Sequence, residues 1–277
     1  MRAADLLAAV PSRKAEAREG DYINDKGFLV CGKCGEEREM VIKILDIEKI
    51  VSRQCLCERK EQEEQDRKEE ETKRKRIAER LKRECFSSQS YWELTFDKDD
   101  QENEKVSNVS RRFCEHFQEL KENGQGLLFY GPVGTGKTTF GAMIANELMT
   151  QGYKCLFSSL SELGNKMQRT YSGKQEILED LMRYDLVVLD DLGIERTTDT
   201  MNEYVYQIIN TLYKEKISMI CTTNLEIQSI INPDNNSQRR IYDRLLERCT
   251  AVKVDGSNRR KKAASENMKR AKELLGL

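Results

Sequence analysis

The chemistry of this chain starts in the run Gly131-Pro132-Val133-Gly134-Thr135-Gly136-Lys137-Thr138, with Thr139 directly behind it. Its spacing, G-x-x-x-x-G-K-[ST], suits a polyphosphate. The glycines let successive backbone N–H groups turn inward around phosphate oxygens, and the helix that follows adds its partial positive charge. Lys137 would neutralise the β- and γ-phosphates and Thr138 would hold Mg²⁺. Gly131, Pro132, Val133, Gly134, Thr135, Gly136, Lys137, Thr138 and Thr139 are therefore the candidate nucleotide-binding residues. Farther along, Leu186-Val187-Val188-Leu189 runs into Asp190-Asp191, an apolar strand tipped by two carboxylates. In an open parallel sheet that edge is where ligands sit. Asp190 would bind Mg²⁺, directly or through water, and Asp191 would orient an attacking water as general base. The same pair of acids would also serve as a helix cap.

A third strand-like run, Ile217 to Cys221, ends in Thr222-Thr223-Asn224. An amide at a strand tip beside two carboxylates can hold a water against a γ-phosphate. An asparagine that starts a turn is the alternative. The phosphate cradle and the metal-binding acids together imply ATP as substrate.

The amino-terminal part carries a different chemistry, Cys31-x-x-Cys34 followed by Cys55-x-Cys57. Two close pairs of thiolates can close a tetrahedral Zn²⁺ site, and Gly32 and Gly35 allow the tight turn at the first pair. Reduced thiols without a metal, or a redox site, are the other readings. Cys85, Cys114, Cys155, Cys221 and Cys249 are scattered and read as ordinary small residues. The sole histidine, His116, falls in a predicted helix and reads as a packing or surface residue.

These residues need elements to position them. Short apolar runs alternate with amphipathic stretches from about Tyr91 onward, which predicts an α/β fold with a five-stranded, mainly parallel sheet. The expected strands are Leu127–Gly131, Lys154–Ser158, Asp185–Asp190, Ile217–Thr223 and Ala251–Val254. Lys137 to Gln151 reads as a helix, and Val205, Ile208, Ile209 and Leu212 form an i, i+3, i+4, i+7 stripe on another. Glu58 to Glu84 is almost wholly charged, which predicts a solvated helix or linker. The expected domains are thus a zinc module over 1–57, a charged helical linker over 58–90 and an ATPase domain over 91–277.

Among 277 residues, 47 Lys and Arg against 48 Asp and Glu exclude a uniformly basic nucleic-acid binder but not a local basic surface. No apolar run reaches the length of a membrane span, and the start, Met1 to Val10, is too short for a secretory apolar region. The expected location is the cytoplasm.

The order of the phosphate loop, Leu186 to Gly193, Thr222-Thr223-Asn224-Leu225, Arg239-Arg240-Ile241-Tyr242-Asp243-Arg244-Leu245 and Gly256-Ser257-Asn258-Arg259 resembles the AAA+ ATPases of the DnaC/DnaI helicase-loader and IstB branch. The resemblance covers about Tyr91 to Arg260. It implies that Asn224 is the sensor-1 residue, that Arg244 is the finger reaching a neighbouring subunit's γ-phosphate, with Arg240 as rival, and that Arg259 is the sensor-2 arginine. Arginine suits these tasks because its planar charge stabilises phosphoryl oxygens as negative charge redistributes. Too little chain follows Asn224 for a full helical lid, so a reduced or absent lid is expected. The segment Ser158 to Tyr171, with Lys166, Arg169 and Tyr171, resembles the place where such ATPases face single-stranded DNA. The implied function is ATP-dependent loading of a DnaB-type replicative helicase onto single-stranded DNA by a homo-oligomer, with the zinc module gripping the helicase. An IstB-like helper of transposition, or a nucleotide-dependent scaffold with negligible turnover, are the alternatives.

Overall fold

A computed structural model describes residues 15–44, 47–169, 173–193, 199–233 and 235–277. The chain packs as two units, Met1–Lys73 and Arg74–Leu277. In the first, β1 (Tyr22–Ile23) pairs antiparallel with β2 (Leu29–Val30), and β3 (Glu39–Ile44) pairs antiparallel with β4 (Ile47–Ser52). The turn between β1 and β2 is built by Asn24, whose side-chain oxygen accepts from the amides of Lys26 and Phe28. Its small core holds a buried ion pair, Arg38 with Asp21 and with Glu58, the latter at 2.7 Å.

The charged run is helical. α1 spans Leu56–Cys85, and its exposed face is laced by i,i+4 contacts such as Glu64 with Lys68 at 2.7 Å. Its last turns differ from the expected solvated linker. Ala78, Leu81 and Cys85 recur at i, i+3 and i+7 and are buried, and Phe86 bridges in parallel to Phe157. Packing of the second unit therefore begins inside the charge run and not at residue 91, because three small apolar side chains are enough to turn one stripe of the helix inward.

The second unit opens with α2 (Glu104–Glu115) and α3 (Phe117–Glu122). His116 lies at the junction of these two helices, exposed, with φ −102° and ψ 15°, and not within a helix as expected. Then come β5 (Gly126–Tyr130), α4 (Lys137–Thr150), β6 (Cys155–Ser159), α5 (Leu160–Arg169), α6 (Gly173–Leu181), β7 (Leu186–Leu192), α7 (Asp199–Lys214), β8 (Ser218–Thr223), α8 (Ile227–Ile231), α9 (Asn236–Arg248), β9 (Cys249–Lys253) and α10 (Arg259–Leu275).

The five strands β5 to β9 form one sheet in the order β6-β7-β8-β5-β9, with every pairing parallel. Parallel strands covered on both faces read as continuous apolar runs, which explains Leu186 to Leu189 and Leu127 to Phe129. Successive side chains go to opposite faces. Leu127, Phe129, Leu186, Val188 and Ile220 join Phe140 and Ile144 of α4 in one core. Leu128, Val187, Leu189, Met219 and Cys221 join Val205, Ile208, Ile209 and Leu212 of α7 in the other. β9 is followed by the helix α10, none of whose residues is buried. Among the described residues no helix is long and apolar enough to cross a membrane.

Phe129, on β5, is fully buried, its ring centroid 6.2 Å from that of Phe140. Phe129→Ala should lower the stability of the second unit by about 3–5 kcal/mol in urea unfolding. A loss under about 1 kcal/mol would contradict this packing.

Candidate functional site

The strand order sets the site. β8 lies between β5 and β7, so the loop after β5, the acids at the end of β7 and the tip of β8 meet at one carboxyl edge. After Tyr130 the chain turns sharply at Gly131, with φ +138°; a Cβ there would stand 2.5 Å from the carbonyl oxygen of Val254. Gly136, with φ +99°, caps α4 in the left-handed conformation, which only glycine adopts without strain. Lys137 begins that helix and is buried. Its ammonium donates to the carbonyls of Gly131 at 2.8 Å and Pro132 at 2.7 Å. Burial pulls its pKa below the usual lysine range, and the nearby Asp191 and Asp190 oppose that pull. Thr135 is also buried and braces the loop from within, its hydroxyl donating to Pro132 at 2.9 Å.

Asp190 is 8% exposed. Burial raises its carboxyl pKa, hydrogen bonds from the Thr222 and Thr138 hydroxyls lower it, and the charge of Asp191 raises it further. The ladder between β7 and β8 is irregular here. Leu189 pairs with Cys221 and Leu192 with Thr223, so two acids stand opposite the single residue Thr222. That is a β-bulge, a device that re-aims side chains at a strand end. Asp191 takes φ +61°, uncommon for a residue with a side chain, and faces the phosphate loop.

One cavity is lined by Val133, Gly134, Gly136, Lys137, Thr138 and Thr139, and across it stand Asp191, Asn224, Arg259 and Arg260. Glycine amides, a buried ammonium and a threonine hydroxyl touching a buried carboxylate fit a magnesium nucleotide: Thr138 and Asp190 would hold Mg²⁺, and the loop would hold phosphate.

Arg259 enters this cavity from the start of α10. Its backbone amide donates to Gly134 at 2.9 Å, and a Cβ at Gly136 would lie 3.2 Å from its Nη1. The guanidinium is held by Asp100 at 2.8 Å and Glu102 at 3.6 Å. Asn258 caps α10, accepting from the amide of Lys261, while its carboxamide donates to Val133. Sequence reasoning did not single out Arg260. The basic run Arg259 to Lys262 was the available signal, but which of its members faces the phosphates depends on where the helix starts.

Arg244 and Arg240 do not line the cavity. On α9, Arg244 donates from Nε to Asn210 at 3.0 Å, from Nη1 to the Arg240 carbonyl at 2.7 Å and from Nη2 to the Tyr206 hydroxyl at 3.2 Å. Arg240 donates to the same hydroxyl at 2.9 Å and lies 4.5 Å from the Tyr206 ring centre. Lys166 and Arg169 are exposed on α5, where Lys166 pairs with Glu162 at 3.1 Å. Tyr171 lies outside the described residues.

In the first unit, Cys31, Cys34, Cys55 and Cys57 bring their sulfurs within 4.8 Å of one another. Amide donors from Glu36 and Cys57 draw the Cys34 thiol down to about 6, and the Cys34 sulfur beside it pushes Cys57 up to about 11. Four thiols converging from a loop and a helix start fit a tetrahedral Zn²⁺ site.

Comparison with known proteins matches residues 48–267 to the family model of IstB-like ATP binding proteins, a span that begins beyond Cys31 and Cys34. The chain is 29% identical over 127 residues to the replicative helicase loader DnaC of Buchnera aphidicola, covering 44% of this chain and 50% of that one. It is 26% identical over 147 residues to a putative insertion sequence ATP-binding protein of Sinorhizobium fredii, covering 52% and 49%. The chain thus spans about half the length of these curated relatives. A crystal structure of DnaI aligns with 63% of this chain and 95% of its own at a TM-score of 0.53 and 23% identity, which is likeness of fold.

Cys34→Ser should lose the metal and unfold the first unit while leaving nucleotide binding in place; elemental analysis of the wild type should find about one zinc per chain. A folded wild-type protein without metal would remove the site. The Asp190 carboxyl must be charged to hold Mg²⁺, and its pKa is raised. Mg²⁺-dependent nucleotide binding should therefore fall, as pH is lowered, at a higher pH than that at which a free aspartate titrates. A fluorescent ATP analogue titrated with and without EDTA reads this directly, since the metal-free component should not share the Asp190 limb.

Proposed function

Because the chain belongs to the family of IstB-like ATP-binding proteins, we propose that it is an ATPase that loads a replicative helicase onto single-stranded DNA in the cytoplasm. The observation that carries the ATPase reading is the meeting of Lys137, Asp191, Asn224 and Arg259 around one cavity at the edge of the sheet. Gly131 to Thr139 bind the phosphates. Thr138 and Asp190 hold Mg²⁺, which when bound supplies positive charge against the phosphate oxygens. Asp191 accepts the proton of the attacking water, Asn224 orients that water, and Arg259 and Arg260 offer charge to the phosphoryl oxygens.

A finger must serve a site other than its own. Arg244 lies outside its own cavity and is fixed at all three guanidinium nitrogens to Asn210, Tyr206 and Arg240. That fixing suits presentation to the cavity of a neighbouring copy, with low ordering cost at assembly. The loader reading is favoured by the Cys31, Cys34, Cys55 and Cys57 cluster and by the helix Leu56–Cys85 that follows it, a zinc module and charged stem that hold the helicase. The insertion-sequence relative supports a second reading, delivery of target DNA to a transposase.

Two measurements test the proposal. Capture of the full chain from its native host should recover a hexameric helicase; recovery of a transposase instead would favour the second reading. Arg244→Ala and Asp191→Asn should each bind ATP and hydrolyse it poorly. Mixed, they form some interfaces with an intact Asp191 facing an intact Arg244, and activity should return and rise with protein concentration. If assembly occurs and the mixture stays as inactive as either variant, Arg244 is not the finger and Arg240 takes its place.

A further inference from the structure

Thr222 sits at the one place where the ladder between β7 and β8 fails. Its side chain is fully buried, and its hydroxyl makes two contacts with the neighbouring strand. It donates to Asp190 Oδ1 at 2.6 Å and accepts from the backbone amide of Asp191 at 3.0 Å. The bulge requires such a partner. With Asp190 and Asp191 both opposite Thr222, one residue of β7 has no place in the regular ladder. Unmade, the Asp191 amide bond would leave a strained residue, at φ +61°, without an anchor.

The two bonds are linked through one oxygen. A hydroxyl has one proton, and the amide of Asp191 already donates to it, so the proton must go to Asp190. One oxygen of Asp190 is thereby fixed, and the carboxylate plane with it. Asp191 is fixed at the same time by its own backbone. A threonine two residues before Asn224 thus sets both acids in register with the phosphate loop. Its neighbour Thr223 is also buried, but its hydroxyl donates instead to the carbonyl of Leu192 at 2.7 Å.

We propose that Thr222 is a positioning residue that couples the metal-binding Asp190 to the general base Asp191, so that one side chain sets both the seat of Mg²⁺ and the place of the attacking water. This rests on the roles given above to the two acids. Valine at 222 keeps the shape and removes the hydroxyl, whereas serine keeps the hydroxyl and removes the methyl.

The test compares full-length wild type, Thr222→Val, Thr222→Ser, Asp190→Asn and Asp191→Asn. Binding of a fluorescent ATP analogue is read in EDTA and across a Mg²⁺ titration, and ATP turnover is read beside it. Thr222→Val should bind nucleotide like the wild type in EDTA, require about 10- to 100-fold more Mg²⁺ for its metal-dependent binding, and turn over about 10- to 100-fold more slowly, the range for loss of a group that orients a metal ligand. Thr222→Ser should restore both to within about threefold. Should Thr222→Val fail to fold, Thr222→Cys, similar in size and a weak donor, carries the same expectation. Wild-type Mg²⁺ dependence in Thr222→Val, or a Thr222→Ser variant as impaired as Thr222→Val, overturns the inference. If Asp190→Asn and Asp191→Asn are themselves fully active, the assignment of the acids fails first.

Discussion

The pairing of β8 between β5 and β7 is the constraint on which the site depends. A parallel sheet brings all carboxyl ends of its strands to one edge, and only the order β6-β7-β8-β5-β9 sets the phosphate loop and the two acids one strand apart. The gap between them is then filled by the tip of β8, which supplies Thr222, Thr223 and Asn224. Core packing fixes that order from both faces. Phe129 and Val188 hold α4 on one side, and Leu128 and Leu189 hold α7 on the other, so a slip in register would expose both layers.

Charge at this edge is balanced closely and at short range. Lys137 is buried against carbonyls of its own loop, and Asp190 is buried against two hydroxyls. Burial pushes each group toward its neutral form; Asp191 and Asp190 draw Lys137 back toward its charged form, and the Thr222 and Thr138 hydroxyls and Arg260 do the same for Asp190. A ligand that brings both phosphate and a divalent cation would satisfy the two at once. Arg259 belongs to the same balance from outside the sheet. Its charge is offset there by Asp100 and Glu102.

The first unit solves another problem. A unit of some seventy residues with short two-stranded sheets buries little apolar surface, and such units need a staple. Four thiols converge there within 4.8 Å, a geometry that a metal could close into such a staple, and the buried pairing of Arg38 with Asp21 and Glu58 adds polar specification. Arg38 would be costly there alone, because an unpaired buried guanidinium forfeits its hydration.

The sequence by itself determined the parts whose chemistry is local. Gly131 to Thr138, Asp190-Asp191 and the cysteine pairs are legible because a phosphate loop, an acidic strand tip and a thiolate knuckle each need fixed residue types within a few positions. The five strands of the parallel sheet were legible within two residues at each end, since burial on both faces leaves apolar runs, whereas the four short antiparallel strands of the first unit were not. Tertiary structure decided the rest. The contact of Thr222 with Asp190 spans 32 residues and that of Arg259 with Asp100 spans 159. The stripe Ala78, Leu81 and Cys85 was hidden in a charge run, and Arg260 was indistinguishable from its basic neighbours. None of these has a local signature, because a hydroxyl, a guanidinium or a small apolar residue is compatible with many surroundings. Its partner is chosen by strand order, by a bulge in one ladder and by where a helix begins.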